Sequence, residues 1–315
     1  MKSKNQIMSM FFMVLACVVV FTSCKKKETG TADPNAKQHN EDVSNTKSES
    51  DNLNNDINTV IKDSGFGKKE GVQATIEGCT IDLTHQGENP PYIVFTFDGT
   101  AHGNPSRKRE GVIKVTLVNG THWSQAGSVL KVEHIDYKVT FVNLNNHYLV
   151  FNGTKYLTNQ TGLVYDLFTT AFSETIKERS NDMKVTFENG QQESWNCARL
   201  STWSGTLTPL VLNATVEADS ISPGGKRIDS WGTTRFGTNF TTEMITAWKS
   251  GSACGWWKPT QGKYTSTTDN FSITATASVD REGNVVNTAC AGYGYKLEWN
   301  YNSGTATGTV VIPYF

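Results

Sequence analysis

Val129-Leu-Lys-Val-Glu-His-Ile-Asp-Tyr-Lys-Val-Thr-Phe-Val142, followed by Leu144-Asn-Asn146 and His147-Tyr-Leu-Val-Phe151 up to Asn152-Gly153, decides the fold class of this chain. The first run is long and alternates apolar with polar side chains, the period that sends successive residues to opposite faces of a strand. The Leu-Asn-Asn segment turns it into a second short strand. Outward from this pair the pattern repeats. Gly111–Val118 stops at Asn119-Gly120, Ile93–Phe97 stops at Asp98-Gly99, and Met183–Phe187 ends at Asn189-Gly190 before returning through Glu193–Trp203. Asn-Gly or Asp-Gly between alternating runs is a strong local hairpin signal, because such turns need a positive φ. The reading is an all-β chain: an antiparallel meander of hairpins, arranged as a sandwich or as extended sheets.

Composition agrees. Gly71–Phe315 contains 35 Thr, 29 aromatic residues and 24 Gly, the profile of strands joined by tight turns. Further strand candidates are Trp231–Trp248, Cys254–Tyr264, Phe271–Val279, Asn284–Cys290, Tyr293–Trp299 and Thr305–Pro313. Asp280-Arg-Glu-Gly283 reads as a turn, since it lacks the remaining ligands of a calcium loop. Between Leu163 and Ile176 helical and strand spacing both fit, and the flanking strands favour β. The stretch Leu212–Lys226, with Ser222-Pro-Gly-Gly225, is the best candidate for a long loop or for a boundary dividing 71–315 into two subdomains.

The amino terminus has a different character. Lys2 and Lys4 precede the apolar run Met8–Phe21, which is too short to span a bilayer comfortably. Phe21-Thr22-Ser23-Cys24 then resembles a bacterial lipobox, with residues 1–23 as the signal peptide and Cys24 as the acylated first mature residue. Acyl chains at ~0.8 kcal/mol per buried CH₂ anchor a protein without a transmembrane helix. Lys25-Lys26-Lys27 matches neither the inner-membrane retention signal nor the acidic run that directs lipoproteins to the cell surface. The expected address is therefore the outer membrane, on its periplasmic face. Residues 24–70 read as a polar tether, with Leu53, Ile57, Val60 and Ile61 marking one face of a short helix near 51–64, capped by Ser50 or Asp51.

Charge and motifs narrow the function classes. With 29 Lys and Arg against 30 Asp and Glu, a nucleic-acid partner is disfavoured. The six His residues are scattered, and no zinc pair, nucleophile elbow, phosphate loop or Cys-x-x-Cys occurs, so neither catalytic nor metal residues nor a cofactor are assigned. Asp98, Glu188, Glu193, Asp229, Glu243 and Glu298 lie near aromatic residues, as glycosidase carboxylates do, but also fit solvent-facing strand positions. His102 reads as a loop residue. Cys79, Cys197, Cys254 and Cys290 survive processing, an even number in an exported chain. Cys254 with Cys290 is the expected pair, bridging neighbouring strands, and leaves Cys79 with Cys197; buried unpaired thiols are the alternative.

Eight tryptophans are the sharpest chemical feature. Trp256 and Trp257 are adjacent, so in a strand they face opposite sides, one into the core and one toward a ligand. Trp203, Trp231 and Trp248 either join that patch or fill the interior.

Arg107-Lys-Arg-Glu-Gly-Val-Ile113, Gly153-Thr-Lys-Tyr-Leu-Thr-Asn159, Phe187-Glu-Asn-Gly190, Trp195–Trp203, Cys254-Gly-Trp-Trp-Lys-Pro259 with Gly262, and Cys290 before Tyr293-Gly294 occur in an order that resembles a group of β-rich Bacteroidota lipoproteins of uncharacterised activity. The resemblance implies the envelope compartment and the β-rich fold, and no activity comes with it. Two functions remain in play: a lipid-anchored module that binds a glycan or an envelope protein, or serves structure, and an exported glycan hydrolase using paired carboxylates. A Cys24→Ala precursor is expected to escape lipoprotein processing and to leave the detergent-phase membrane fraction; unchanged detergent partitioning refutes the lipid anchor.

Overall fold

Ile93, Phe95 and Phe97 are buried while the residues between them are polar or less enclosed, and this two-residue rhythm recurs through most of the chain. In the computed structural model, which describes residues 34–64, 75–102, 107–142, 146–162, 171–207, 210–219, 224–254, 258–288, 290–301 and 306–314, it produces fourteen antiparallel strands among the described residues. They are β1 (Cys79–Asp82), β2 (Tyr92–His102), β3 (Arg107–Asn119), β4 (Val129–Phe141), β5 (His147–Asn159), β6 (Ala171–Phe187) and β7 (Gln192–Leu207). There follow β8 (Leu210–Ala218), β9 (Ile228–Thr233), β10 (Asn239–Gly251), β11 (Gln261–Thr268), β12 (Phe271–Val279), β13 (Gly294–Tyr301) and β14 (Ala306–Pro313).

All fourteen belong to one sheet, ordered by sequence except at one place. There β8 and β9 share the slot between β7 and β10. Strand β9 pairs with Ser194–Cys197 and Asn239–Glu243, while β8 pairs with Arg199–Leu207 and Trp248–Gly251. The stretch 212–226 is therefore no domain boundary: strands on both sides of it pair with the same two neighbours, and Ala32–Phe315 form one compact unit.

Of the four glycine dipeptides, Asn189-Gly190 is a turn and Asn119-Gly120 ends β3 at the loop that leads to β4. The other two lie inside strands. Asp98-Gly99 and Asn152-Gly153 sit at register shifts, and β2 and β5 continue past them. Similar shifts occur at Glu110/Val112, His134/Tyr137 and Ser180/Met183, so a line of bulges crosses β2 to β7. At each step one residue of the bulging strand takes a positive φ: Gly99, Gly111, Asp136, Gly153 and Asp182. Gly111 is required twice over, since a Cβ there would run into the Asp136 carbonyl. Bulges raise local twist and bend a strand, which lets strands of 11 to 17 residues curl instead of lying flat. Local sequence cannot distinguish the two uses of Asn-Gly, because both need the same backbone conformation.

The curled sheet encloses a helix, α1 (Pro34–Ser64). The expected apolar face is present, with Leu53, Ile57, Val60 and Ile61 all buried. The helix nevertheless begins seventeen residues before Asp51, so 34–50 is not a tether, and Ser50 and Asp51 are interior positions rather than caps. Among the described α1 side chains Asn35 alone is exposed. Contacts come from around the axis: β3 and β4 through Glu49, β5 and β6 through Ser50, β7 through Asp51, β9 through Lys47, and β11 through Ser44 and His39.

Three further expectations change. Trp231–Trp248 is interrupted by a turn at Thr234–Thr238, which separates β9 from β10. Asn284–Cys290 forms a single bridge, Val279 to Val285, rather than a strand. Of Leu163–Ile176, residues 171–176 belong to β6, and 163–170 lie outside the described residues. The Asp280–Gly283 turn is present, with Asp280 accepting the Glu282 and Asn284 amides.

Cys254 and Cys290 form a disulfide with Cα atoms 5.1 Å apart. Cys79 and Cys197 do not pair. Cys79 lies on the edge strand β1 and Cys197 on β7 with five strands between them, so the sheet order keeps their backbones apart. The buried Cys197 sulfur instead accepts from Ser180 Oγ at 3.4 Å. The disulfide closes a loop with a sequence separation of 36. A Cys254→Ser/Cys290→Ser variant is expected to lose about 3–4 kcal/mol on the chain-entropy account; urea unfolding midpoints equal to wild type would show that the bridge contributes nothing.

Candidate functional site

Ser44, Ser48, Asp51, Asn52 and Asn55 recur at helical spacing and form one polar stripe of α1. Facing it are Arg199, Ser201 and Trp203 of β7, Ala214 and Val216 of β8, Met244 and Trp248 of β10, Tyr264 of β11 and Tyr295 of β13. Between stripe and sheet lies a cleft with a cavity of about 100 Å³. One wall offers amides, hydroxyls and a carboxylate; the other offers aromatic and aliphatic surface.

Sequence and packing explain the aromatic wall. Trp248 is half-buried and lies nearly parallel to Tyr295, centroids 6.1 Å apart at 13°, with Tyr264 tilted against it at 5.6 Å. Gly262 makes this possible, since a Cβ there would collide with the Trp248 ring. Tyr295 in turn meets Tyr314 edge-on at 4.7 Å. Burial pushes the Tyr264 and Tyr295 phenols above the ordinary tyrosine value, so both remain hydrogen-bond donors.

The polar wall is held by charges. Lys47 Nζ lies 2.7 Å from Asp229 Oδ2, which is fully buried, and 4.6 Å from the Tyr264 ring centroid. Burial pulls the Lys47 ammonium below its usual value against the attraction of Asp229. Arg199 is 2 % exposed and donates from Nη2 to Asp51 Oδ1 at 2.8 Å. Its Nη1 lies 3.6 Å from Glu178 Oε2. Burial opposes the Arg199 charge, but Asp51, Glu178 and Asp229 outweigh it and raise its pKa. Nε and Nη1 of Arg199 have no hydrogen-bond partner among the described residues.

Behind Arg199 stands the most enclosed group of the network. Glu178 accepts from Ser50 Oγ at 2.6 Å, Asn54 Nδ2 at 3.1 Å and Lys155 Nζ at 3.2 Å. Burial alone would raise its pKa. The Lys155 and Arg199 charges and the Ser50 hydrogen bond outweigh that and hold it at about 2.

The candidate residues from the sequence fall in different places. Trp203 and Trp248 line the cleft, whereas Trp231 is half-buried on β9 and does not. Trp256, Trp257 and Cys24 lie outside the described residues. None of the six candidate carboxylates lines the cleft. Asp229 is the buried partner of Lys47, and Glu193 is buried with neither oxygen hydrogen-bonded among the described residues. Burial, then the Asp42 charge, raise the Glu193 carboxyl well above its usual value, so it stays neutral. Glu188 meets His147 at 2.9 Å, Glu298 meets Lys296 at 3.2 Å, Glu243 meets Lys226 at 4.0 Å, and Asp98 accepts from Thr100. His102 ends β2 rather than sitting in a loop.

Arg199, Asp51 and Lys47 carry no sequence signal of a site, because Arg199 and Asp51 lie 148 residues apart and Lys47 lies 182 from Asp229. A second hollow of about 450 Å³ beside the disulfide is lined mainly by small and uncharged residues of β10 to β12, with Lys263 its charged member. Among the described residues no group of three or more His, Cys, Asp or Glu is arranged to hold a metal ion, and no helix is long and apolar enough to cross a membrane. No family model, curated protein or solved structure matches this chain.

Glu178 gives the network a pH signature. Its folded pKa of about 2 lies below the ordinary 4.5, so its contribution is complete above pH 4.5 and is lost as pH falls through 2. Glu178→Gln is expected to cost about 3–5 kcal/mol at pH 7, because Lys155 and Arg199 lose a buried partner. The deficit should shrink below pH 4.5; urea unfolding of both proteins from pH 7 to pH 3 with a constant difference would contradict this.

Proposed function

We propose that this protein is a lipid-anchored module of the bacterial cell envelope, held by Cys24 at the periplasmic face of the outer membrane, that binds a glycan without transforming it. The observation that carries the reading is the two-sided cleft: a stripe of Ser and Asn side chains opposite the stacked Trp248 and Tyr295. Sugar rings have the same two-sidedness, with C–H faces that lie on aromatic surface and hydroxyls that exchange hydrogen bonds around the rim. The cleft stands on a helix and on paired strands, so its groups are held in place before a ligand arrives.

The lipobox and the resemblance to Bacteroidota lipoproteins support the compartment. The hydrolase alternative calls for two carboxylates flanking a bond, and Asp51 is the one carboxylate among the described lining residues. A glycan array probed with wild type and Trp248→Ala tests the reading. The variant is expected to keep its fold and to bind about 3–10-fold more weakly, the worth of one stacked ring. Trp203→Ala, at a buried position, is expected instead to lose about 3–5 kcal/mol of stability. Absence of any bound glycan, or turnover of one that depends on Asp51, would overturn the reading.

A further inference from the structure

We propose that the cleft between α1 and strands β7, β8, β10, β11 and β13 selects a sugar of the uronic-acid class, its carboxylate seated on Arg199 and its ring lying against Trp248 and Tyr295. This deepens the glycan reading and rests on it.

Three observations converge. Arg199 is almost entirely buried, lines the cleft, and has Nε and Nη1 without a hydrogen-bond partner among the described residues. Buried donors are nearly always satisfied, so a guanidinium held by Asp51 through Nη2, with Glu178 3.6 Å from Nη1 and Nε without a partner among the described residues, is a place for an incoming acceptor. A carboxylate gives a charge-assisted bond there, stronger than that from a hydroxyl.

The charges on the lining set the charge of the ligand. Lys47 and Arg199 are cations and Asp51 is an anion, an excess of one positive charge at the cleft surface; Asp229 and Glu178, which compensate them, stand outside the lining. A monoanion matches that excess, whereas a phosphate dianion would exceed it. The rest of the lining argues for a sugar rather than a simple acid. A small carboxylate would leave the Asn55 side chain facing bare water and the aromatic wall uncovered, while a sugar ring presents hydroxyls to the helical stripe and C–H groups to that wall.

The test is titration calorimetry on the wild-type protein with methyl glucuronide and methyl galacturonide, the methyl ester of each, methyl glucoside, glucose 6-sulfate and acetate. The free acids are expected to bind about tenfold or more tightly than the esters and the glucoside, with affinity falling as salt rises. Arg199→Lys is expected to weaken the acids about tenfold and to abolish their preference over the esters, because a point charge replaces the planar fork. Trp248→Ala is expected to weaken acid and neutral sugar alike. Melting temperatures of both variants show that they are folded; should Arg199→Lys not fold, the acid and ester comparison on wild type decides. Equal binding of acid and ester overturns the carboxylate assignment and leaves the glycan reading standing, as does tighter binding of the sulfate. Acetate as tight as the uronides, or no uronide bound at all alongside an empty glycan array, overturns both.

Discussion

The buried contacts between the charged groups of α1 and the inner face of the sheet are the constraint on which the rest of this structure depends. Lys47, Glu49, Asp51 and Asp56 face Asp229, Arg107 with Arg109, Arg199 and Arg109 respectively, while Ser50 and Asn54 hold Glu178. Desolvating such groups costs several kcal/mol each, and an apolar interior of the same shape would be at least as stable. What the pairs supply is position. Sliding or rotating the helix by one residue would strand several charges in the interior without partners, so the register is specified far more sharply than Leu53, Ile57, Val60 and Ile61 alone would achieve.

The second constraint is curvature. A helix about 10–12 Å across must be surrounded, and a flat sheet of long strands cannot do it. The bulge line from Gly99 through Gly111, Asp136, Gly153 and Asp182 supplies the bend across six neighbouring strands. Two of these residues are held by an asparagine of the next strand: the Asp136 amide donates to Asn152 Oδ1 and the Asp182 amide to Asn196 Oδ1. Bent this way, the sheet brings β3 to β7 against one side of α1 and β9 to β11 against another. The cleft lies between the helical stripe and β7, β8, β10, β11 and β13.

Site and scaffold therefore share residues. Arg199 ties α1 to β7 through Asp51, lies beside Glu178, and lines the cleft. Its orientation is fixed by the same network that seats the helix. A group held this way needs little reorganisation when a ligand arrives. The aromatic wall is built on the same logic, with Trp248 held flat by the absence of a side chain at Gly262 and backed by Tyr264, whose hydroxyl bonds to Asn40 and Ser44 of the helix.

Much was legible in the amino-acid sequence by itself. Period-two alternation in Ile93–Phe97, Gly111–Val118 and Val129–Val142 determined the antiparallel meander, because which face a residue occupies follows from its neighbours two positions away. The Cys254–Cys290 pair was legible too, since its two cysteines are close in the chain, although both sit in turns and not on the neighbouring strands expected. Helix α1 was legible only where its face is apolar. Residues 34–50 read as a tether because Asn, Lys, Glu and Ser are polar, and nothing local shows that Asp229 or Tyr264, some 180 to 220 residues away, meets them inside the fold. The same holds for Arg199, one of many charged strand residues until β7 and α1 are brought together, and for Asn152-Gly153, where a bulge and a turn ask the same conformation of the backbone. Local periodicity decides which elements form. Which charges are buried, and where a cleft opens, is decided by partners that only tertiary folding brings within a few ångströms, where the loss of solvent makes each pairing obligatory.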